Sequence, residues 1–292
     1  MKIAVTGATG HLGGLVVRGL LDAGRRADDI VAVVRNAAKA SDLAEKGVQV
    51  RVAAHENRSA LEAALAGVDR LLLVSSSEVG RRSEQHRNVI DAARSAGVKH
   101  LVYTSAPKAS TSPLVLAPEH RATEEYIAAS GLTYTIVRNN WYTENYLQTV
   151  ETARATGTIV AAAGAGRVAS ASRADYAAGA IAVLLGTGHE GRVYEFSGDY
   201  AWNYHELADA IAGIIGKPVV YRSVDVPTLT AYLKDAGMDE GTAGFIAALD
   251  AGIAGGALSE AGGELSALIG RPTVPLKEGL KAALGGNNHR IA

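Results

Sequence analysis

Thr6-Gly7-Ala8-Thr9-Gly10-His11-Leu12-Gly13 spaces three glycines as G-x-x-G-x-x-G directly behind the strand-like run Lys2–Thr6. Leu12–Ala23 then carries apolar side chains at helical spacing. Strand, glycine turn and helix in that order make the phosphate-binding corner of a dinucleotide site. Gly7 permits a tight turn, Gly10 lets the backbone approach a diphosphate, and Gly13 lets the helix pack closely on the strand. The free N–H groups of the helix N-terminus then face the diphosphate. Thr6, Gly7, Thr9, Gly10, His11 and Leu12 are therefore expected to line a bound nucleotide.

Outward from this corner, short β-branched runs alternate with Ala/Leu-rich helical stretches. Strands are expected at Ile30–Val34, Val48–Val52, Arg70–Val74, Leu101–Thr104 and Tyr134–Val137. Helices are expected at Lys39–Lys46, at Ser59–Leu65 with Ser59 as its cap, at Gln85–Ala96 closed by Gly97, and at Glu119–Ala129. This order implies an α/β fold: a Rossmann doubly wound parallel sheet with helices on both faces. The run Leu71-Leu72-Leu73-Val74 suits a strand buried on both sides. After about Asn140 the pattern loosens. Asp175–Leu185 reads as a helix and Val193–Phe196 as a strand, both expected to return to the sheet. Residues 1–145 are thus assigned to the nucleotide-binding domain, with 170–198 returning to it, and 146–292 to a smaller C-terminal α+β lobe for substrate. That lobe should hold the helix Tyr204–Ile215, the strand Val219–Ser223 and helices near Pro227–Ala236, Thr242–Ala254, Glu260–Ile269 and Leu276–Leu284. Gly-rich Ala251–Gly263 is either a mobile segment or ordinary helix punctuation.

The end of the second strand bears on which nucleotide binds. A site for NAD usually carries Asp or Glu there for the ribose 2′-hydroxyl. This chain has Val33-Val34-Arg35-Asn36, with Lys39 one helical turn on. Arg35 can fork a 2′-phosphate and Lys39 can add charge, so NADP(H) is the expected cofactor. A hydrogen bond to a charged group is worth about 1.5–3 kcal/mol, roughly a ten- to hundred-fold preference. Further contacts should come from polar residues after the strands: Ser75, Ser76 and Ser77 after the fourth, Thr104 and Ser105 after the fifth, and Asn139, Asn140 and Trp141 after the sixth.

Bulk properties exclude several classes. The chain has 292 residues, 48% of them hydrophobic, with a net charge of −1. No global basic field or stripe is present to hold nucleic acid or an anionic membrane. No run reaches the ~18 apolar residues of a membrane span. Cysteine is lacking, so disulfides and thiolate metal sites are ruled out. His11, His55, His86 and His205 show no metal-ligand spacing and read as surface or turn residues. Met1-Lys2 leads straight into a strand-like run without a signal-peptide layout, so a cytoplasmic setting is expected. A homodimer is kept open.

No lysine has a tyrosine four positions before it, so the Tyr-x-x-x-Lys pair of a typical short-chain dehydrogenase is missing. At the corresponding helix stands Glu119-His120-Arg121-Ala122-Thr123-Glu124, where His120 and Glu124 share a face. Together with the glycine turn, Ala32-Val33-Val34-Arg35-Asn36, Ala96-Gly97-Val98-Lys99-His100 and Tyr103-Thr104-Ser105 belong to one pattern. Thr111-Ser112-Pro113-Leu114, Arg138-Asn139-x-Trp141-Tyr142-Thr143-Glu144-Asn145-Tyr146 and Gly270-Arg271-Pro272-Thr273 extend it through the chain. In these passages the chain resembles the NmrA-like atypical short-chain reductases, closest to type-2 NAD(P)H:quinone oxidoreductases and triphenylmethane reductases.

The resemblance implies an NADPH-dependent reductase of quinones, ketones or similar conjugated acceptors, with the Asn-x-Trp-Tyr segment beside nicotinamide and substrate. The chain departs from the pattern at Ala53-Ala54-His55 (usually Gly-Asp-Tyr), at Lys108 (usually His) and at Asn140 (commonly Gly). Hydride transfer to a quinone needs no Tyr/Lys pair, because water can protonate the product oxyanion. For a ketone, His120 is the first candidate donor, since an ordinary imidazole titrates near neutrality, and Tyr142 the second. Ser105 is placed to hydrogen-bond the acceptor oxygen. Trp141, Tyr142 and Tyr146 are expected to line a flat apolar pocket. The alternative is a non-catalytic NADP(H) sensor of the NmrA kind that acts through a protein partner.

Overall fold

The computed structural model describes residues 1–286; the last six residues of the expected C-terminal lobe lie outside the described residues. In chain order the elements are β1 (Ile3–Thr6), α1 (His11–Asp22), β2 (Ile30–Val34), α2 (Ser41–Glu45), β3 (Gln49–Val52), α3 (Arg58–Leu65), β4 (Arg70–Leu73), α4 (Arg82–Ser95), β5 (His100–Ser105), α5 (Ala117–Ala129) and β6 (Tyr134–Asn139). They continue as α6 (Leu147–Thr156), β7 (Thr158–Ala161), β8 (Arg167–Val168), α7 (Arg173–Leu185), β9 (Val193–Phe196), β10 (Trp202–Asn203), α8 (Tyr204–Ile215), β11 (Val220–Ser223), α9 (Val226–Asp235), α10 (Glu240–Ala254), α11 (Glu264–Ile269) and α12 (Leu276–Gly286).

Two compact units are formed. The first joins Met1–Ser110, Leu116–Asn139 and Arg173–Phe196; the second joins Thr111–Val115, Asn140–Ser172 and Ser197–Ala292. The first unit is built on a sheet ordered β3-β2-β1-β4-β5-β6-β9, parallel throughout. The order 3-2-1-4-5-6 is that of a Rossmann sheet, here with β9 added at one edge. β1, β2, β4 and β5 are apolar on both sides because both sides are covered. Ala4, Val31, Val33, Leu71, Leu73, Leu101 and Tyr103 pack in one core with Leu61, Leu65, Val89, Ile90 and Ile127 of α3, α4 and α5. The alternate residues Ile3, Val5, Ile30, Ala32, Leu72 and Val102 are equally buried, on the opposite face by the strand period. α1 and α7 pack together, and a Cβ on Gly19 would stand 2.4 Å from Ile181 Cδ1, so glycine there sets their approach.

Local differences from the sequence reading have simple causes. The cap of α3 is Asn57, whose side chain accepts the Ala60 N–H at 3.0 Å, not Ser59. The sequence pattern gives weak signals for α6, β7, β8 and β10. α6 has weak amphipathicity and buries only Val150 and Ala153, while β8 and β10 are two residues each. In the second unit β7 pairs with β11 in parallel and β8 with β10 antiparallel. The Gly-rich stretch 251–263 is helix end and turn: Leu258 is fully buried and its carbonyl accepts the Ala169 N–H at 2.8 Å, while the Gly262 N–H donates to Ser197 Oγ at 2.9 Å. No described helix is long and apolar enough to cross a membrane.

Candidate nucleotide-binding site

The Gly7–Gly13 turn sits at the carboxyl end of β1. Gly7 has φ of +58°, a region that favours glycine, and its carbonyl accepts the Gly10 N–H at 2.8 Å. A Cβ on Gly13 would stand 2.3 Å from that carbonyl oxygen, so glycine lets α1 start against the turn. The N-cap residue of α1 is Gly10, with no side-chain cap, and no acidic residue lies in the first turn. Three to four N–H groups at a helix start lack helical partners. Here they border exposed Thr9, Gly10 and His11, and the first turn carries no carboxylate of its own. These features fit a diphosphate. Thr6 is fully buried. Its Oγ1 accepts the Val74 N–H at 3.0 Å and donates to the Leu72 carbonyl at 3.4 Å. That hydroxyl ties β1 to β4, so only the Thr6 backbone is left to meet a nucleotide.

Arg35 follows β2 and is 73% exposed, with Nη1 2.9 Å from Glu78 Oε1. Lys39 lies exposed in a 3-10 turn capped by Asn36, whose Oδ1 accepts the Ala38 N–H. Both cations stand at the expected end of the sheet. An Arg35→Asp exchange is expected to weaken NADPH binding about ten- to hundred-fold and NADH binding far less. Unchanged KM values for both cofactors contradict the assignment.

After β4 the chain is anchored by buried partners. The Ser75 N–H donates to Thr104 Oγ1 at 2.9 Å, and the Ser76 N–H donates to His86 Nε2 at 3.0 Å. Because that nitrogen accepts, the His86 proton sits on Nδ1, which donates to Thr123 Oγ1 at 3.0 Å; the Thr123 hydroxyl passes its own proton to the Glu119 carbonyl. His86 is fully buried, not a surface residue. Its place on α4 with Val89, Ile90 and Ala93 at helical spacing was the signal for this.

β5 and α5 mesh in step. Tyr103 and Ser105 lie two apart on the strand, and His120 and Glu124 lie four apart on the helix, so each pair meets its counterpart. Tyr103 Oη and His120 Nδ1 are 2.8 Å apart, both residues being buried. Burial and the nearby Arg82 charge pull His120 down to about 3, and burial and the His120 charge pull His86 down to about 2. Burial pushes the Tyr103 hydroxyl up. Both imidazoles are therefore neutral at pH 7, so His120 has no imidazolium proton to give. The Ser105 hydroxyl donates to Glu124 Oε1 at 2.5 Å and is likewise engaged. Arg138 on β6 grips Glu124 through two bonds of 2.9 and 2.6 Å and reaches Glu195 of β9 at 2.8 Å. The Lys108 N–H donates to Glu195 Oε2 at 3.1 Å. Lys108 is the non-glycine residue with positive φ, +46°, among the described residues.

The two neutral histidines make stability acid-sensitive. The unfolded chain takes up both protons near the ordinary value of 6.5, whereas the folded chain resists until about 3 and about 2. Below pH 6.5 the unfolded state binds more protons, and stability falls as pH falls. Between pH 7 and pH 5 the loss is expected to be about 1–2 kcal/mol per histidine. Urea unfolding at both pH values measures it, and His86→Gln should remove about half. Equal or greater stability at pH 5 contradicts this account.

Of the residues expected after β6, Asn139 is buried at the strand's end in the first unit, and Asn140, Trp141, Tyr142 and Tyr146 belong to the second unit. Asn140 Oδ1 accepts the Trp141 N–H at 2.7 Å and its amide donates to the Leu258 carbonyl at 3.2 Å, so this side chain fixes its own loop. Trp141 and Tyr142 are half-buried. Tyr142 bridges Ala171 through its backbone. Tyr146 is the most buried of the three aromatic residues. It is buried edge-on against Trp202, with centroids 4.9 Å apart, and against Tyr204.

A family model described as NAD(P)H-binding matches residues 7–186. The chain belongs to this NAD(P)H-binding family. Quinone oxidoreductase 2 of Escherichia coli is 48% identical over 286 residues, covering 98% of this chain and 100% of that protein. The crystal structure of an NADPH-dependent quinone oxidoreductase from that organism, complexed with NADPH, superposes with a TM-score of 0.94 over 97% of this chain and 100% of the other. Citrobacter sp. triphenylmethane reductase complexed with NADP(H) gives a TM-score of 0.92 at 40% identity, covering 97% and 100%. Within the NAD(P)H-binding family the chain is thus similar over nearly its whole length to NmrA-like reductases.

Proposed function

We propose that this protein is an NADPH-dependent reductase that delivers hydride to a quinone or a similar conjugated acceptor. The observation that carries the reading is the uncapped, acid-free α1 N-terminus on its glycine turn, with Arg35 and Lys39 at the adjoining strand end. NADPH, when bound, supplies the hydride, and the protein supplies position and electrostatics. The first N–H groups of α1 hold the diphosphate. Arg35 and Lys39 hold the 2′-phosphate. The Ser75–Ser76 turn, fixed by Thr104 and His86, lines the cofactor further along. Trp141 and Tyr142 are assigned to the acceptor, and Tyr142 is the candidate donor for a ketone. Neutral His120 serves as a positioning residue through Tyr103, and the reduced acceptor takes its proton from water.

Likeness to a quinone reductase and to a triphenylmethane reductase supports this substrate range. A panel of quinones, ketones and a triphenylmethane dye, with NADPH oxidation followed by absorbance and no other protein present, tests it. Turnover on quinones is expected. Tight NADPH binding without turnover on any member would replace the reductase with a cofactor sensor that acts through a protein partner.

A further inference from the structure

The guanidinium assigned to the 2′-phosphate already has an anionic partner. β2 and β4 flank β1 on its two sides. Arg35 follows β2, and Glu78 lies five residues beyond β4. Their 2.9 Å ion pair therefore passes from one flank to the other across the carboxyl edge of β1. The two strands are about 10 Å apart at the usual parallel spacing, a span two long side chains can close. The carboxyl edge of β1 is also where a dinucleotide lies in this fold.

Glu78 is held in that position. Its Oε2 takes Gln85 Nε2 at 3.0 Å and Arg81 Nη1 at 3.3 Å. Gln85 is buried and also donates to Glu56 at 2.8 Å, and Arg81 reaches the same carboxylate at 3.2 Å. The Glu78 N–H donates to Ser76 Oγ at 3.2 Å, while Arg82 Nε holds the Ser76 carbonyl at 2.6 Å. The carboxylate is thus set in place by its own loop and by α4, with Oε1 left to meet Arg35.

We infer that Glu78 is a specificity-determining residue that competes with the cofactor 2′-phosphate for Arg35. The inference rests on the reading of Arg35 as the phosphate partner. A 2′-phosphate carries close to two negative charges and outbids a single carboxylate for the guanidinium. It must still displace Glu78 or accept a like charge nearby. NAD(H), with a neutral 2′-hydroxyl, leaves the ion pair as it is. Glu78 therefore lowers the preference for NADP(H) below what Arg35 alone would give.

Calorimetric titration of the full chain with NADP+ and with NAD+ tests this by binding alone. Glu78→Gln keeps the amide-sized side chain and removes the charge. It is expected to tighten NADP+ about two- to five-fold, the range of an exposed ion pair, and to leave NAD+ unchanged. In an Arg35→Ala background the same exchange should have no effect. If Arg35→Ala weakens NADP+ selectively but Glu78→Gln changes nothing, weakens NADP+, or tightens NAD+ equally, the competition is refuted and the Arg35 reading survives. If Arg35→Ala weakens both nucleotides equally, the Arg35 reading itself fails. A thermal melt of each variant confirms that the comparison is between folded proteins.

Discussion

Gly13→Ala is expected to lower NADP+ affinity by about a hundred-fold or more, although it adds one methyl group. The added Cβ would lie 2.3 Å from the Gly7 carbonyl oxygen, 2.8 Å from its carbon and 3.1 Å from Ala8 Cα. All three are backbone atoms of the turn that cradles the diphosphate, so no side chain can swing aside. α1 and the turn must separate by up to about 1 Å, straining the Gly10 N–H to Gly7 carbonyl bond of 2.8 Å. Overpacking of this kind costs about 1–3 kcal/mol of stability, and a misplacement of about 1 Å can cost a hundred-fold in function. Gly14→Ala on the next residue is the control. Its Cβ would meet Arg18 Nη2 at 3.0 Å, the movable end of a side chain, and Ala8 O at 3.3 Å. Affinity near that of the parent is expected there. Normal NADP+ binding by Gly13→Ala would show that the turn does not carry the diphosphate.

The second large effect is on stability. Arg138→Met is expected to cost about 3–5 kcal/mol in urea unfolding. The arginine and Glu124 side chains are 14% and 10% exposed, and removing the cation leaves a buried carboxylate with Ser105 as its remaining donor. Glu124→Leu on top of Arg138→Met should recover most of the loss, since a buried ion pair replaced by apolar groups is often neutral in energy. A double variant as unstable as the single one would mean that packing, not charge, holds this corner. The corner matters for function because Ser105, Arg138 and Glu195 lie on β5, β6 and β9, so the cluster ties the carboxyl ends of three adjoining strands to α5. Thr104 and Asn139 stand at those ends.

The cofactor half was readable from sequence because its signals are local. The glycine spacing, the strand before it, the amphipathic helix after it and Arg35 at the next strand end are each written in a few consecutive residues. The strand periods also placed Thr104, Asn139 and the Ser75–Ser76 turn correctly at the ends of β4, β5 and β6. The proton-donor half was less readable. His120 was weighed by its ordinary pKa, but its burial against Tyr103 on β5 is a tertiary fact, and that burial makes it neutral. Ser105 read as a free hydroxyl because its partner Glu124 lies nineteen residues away. The packing of Tyr146 against Trp202 and Tyr204 is likewise a tertiary fact, since those rings lie more than fifty residues on. Glu78 carries no signal in the sequence, because a loop carboxylate gains meaning only once β2 and β4 stand on either side of β1.

The most direct test of the central claim is a single turnover. The protein is loaded with one equivalent of NADPH, mixed rapidly with a quinone and no other protein, and followed by the loss of reduced-nicotinamide absorbance. The account predicts that the bound NADPH is consumed at least as fast as steady-state turnover and more slowly when its transferred hydrogen is deuterium. Bound NADPH that persists beside saturating quinone would contradict the reductase and leave a protein that binds its cofactor without using it.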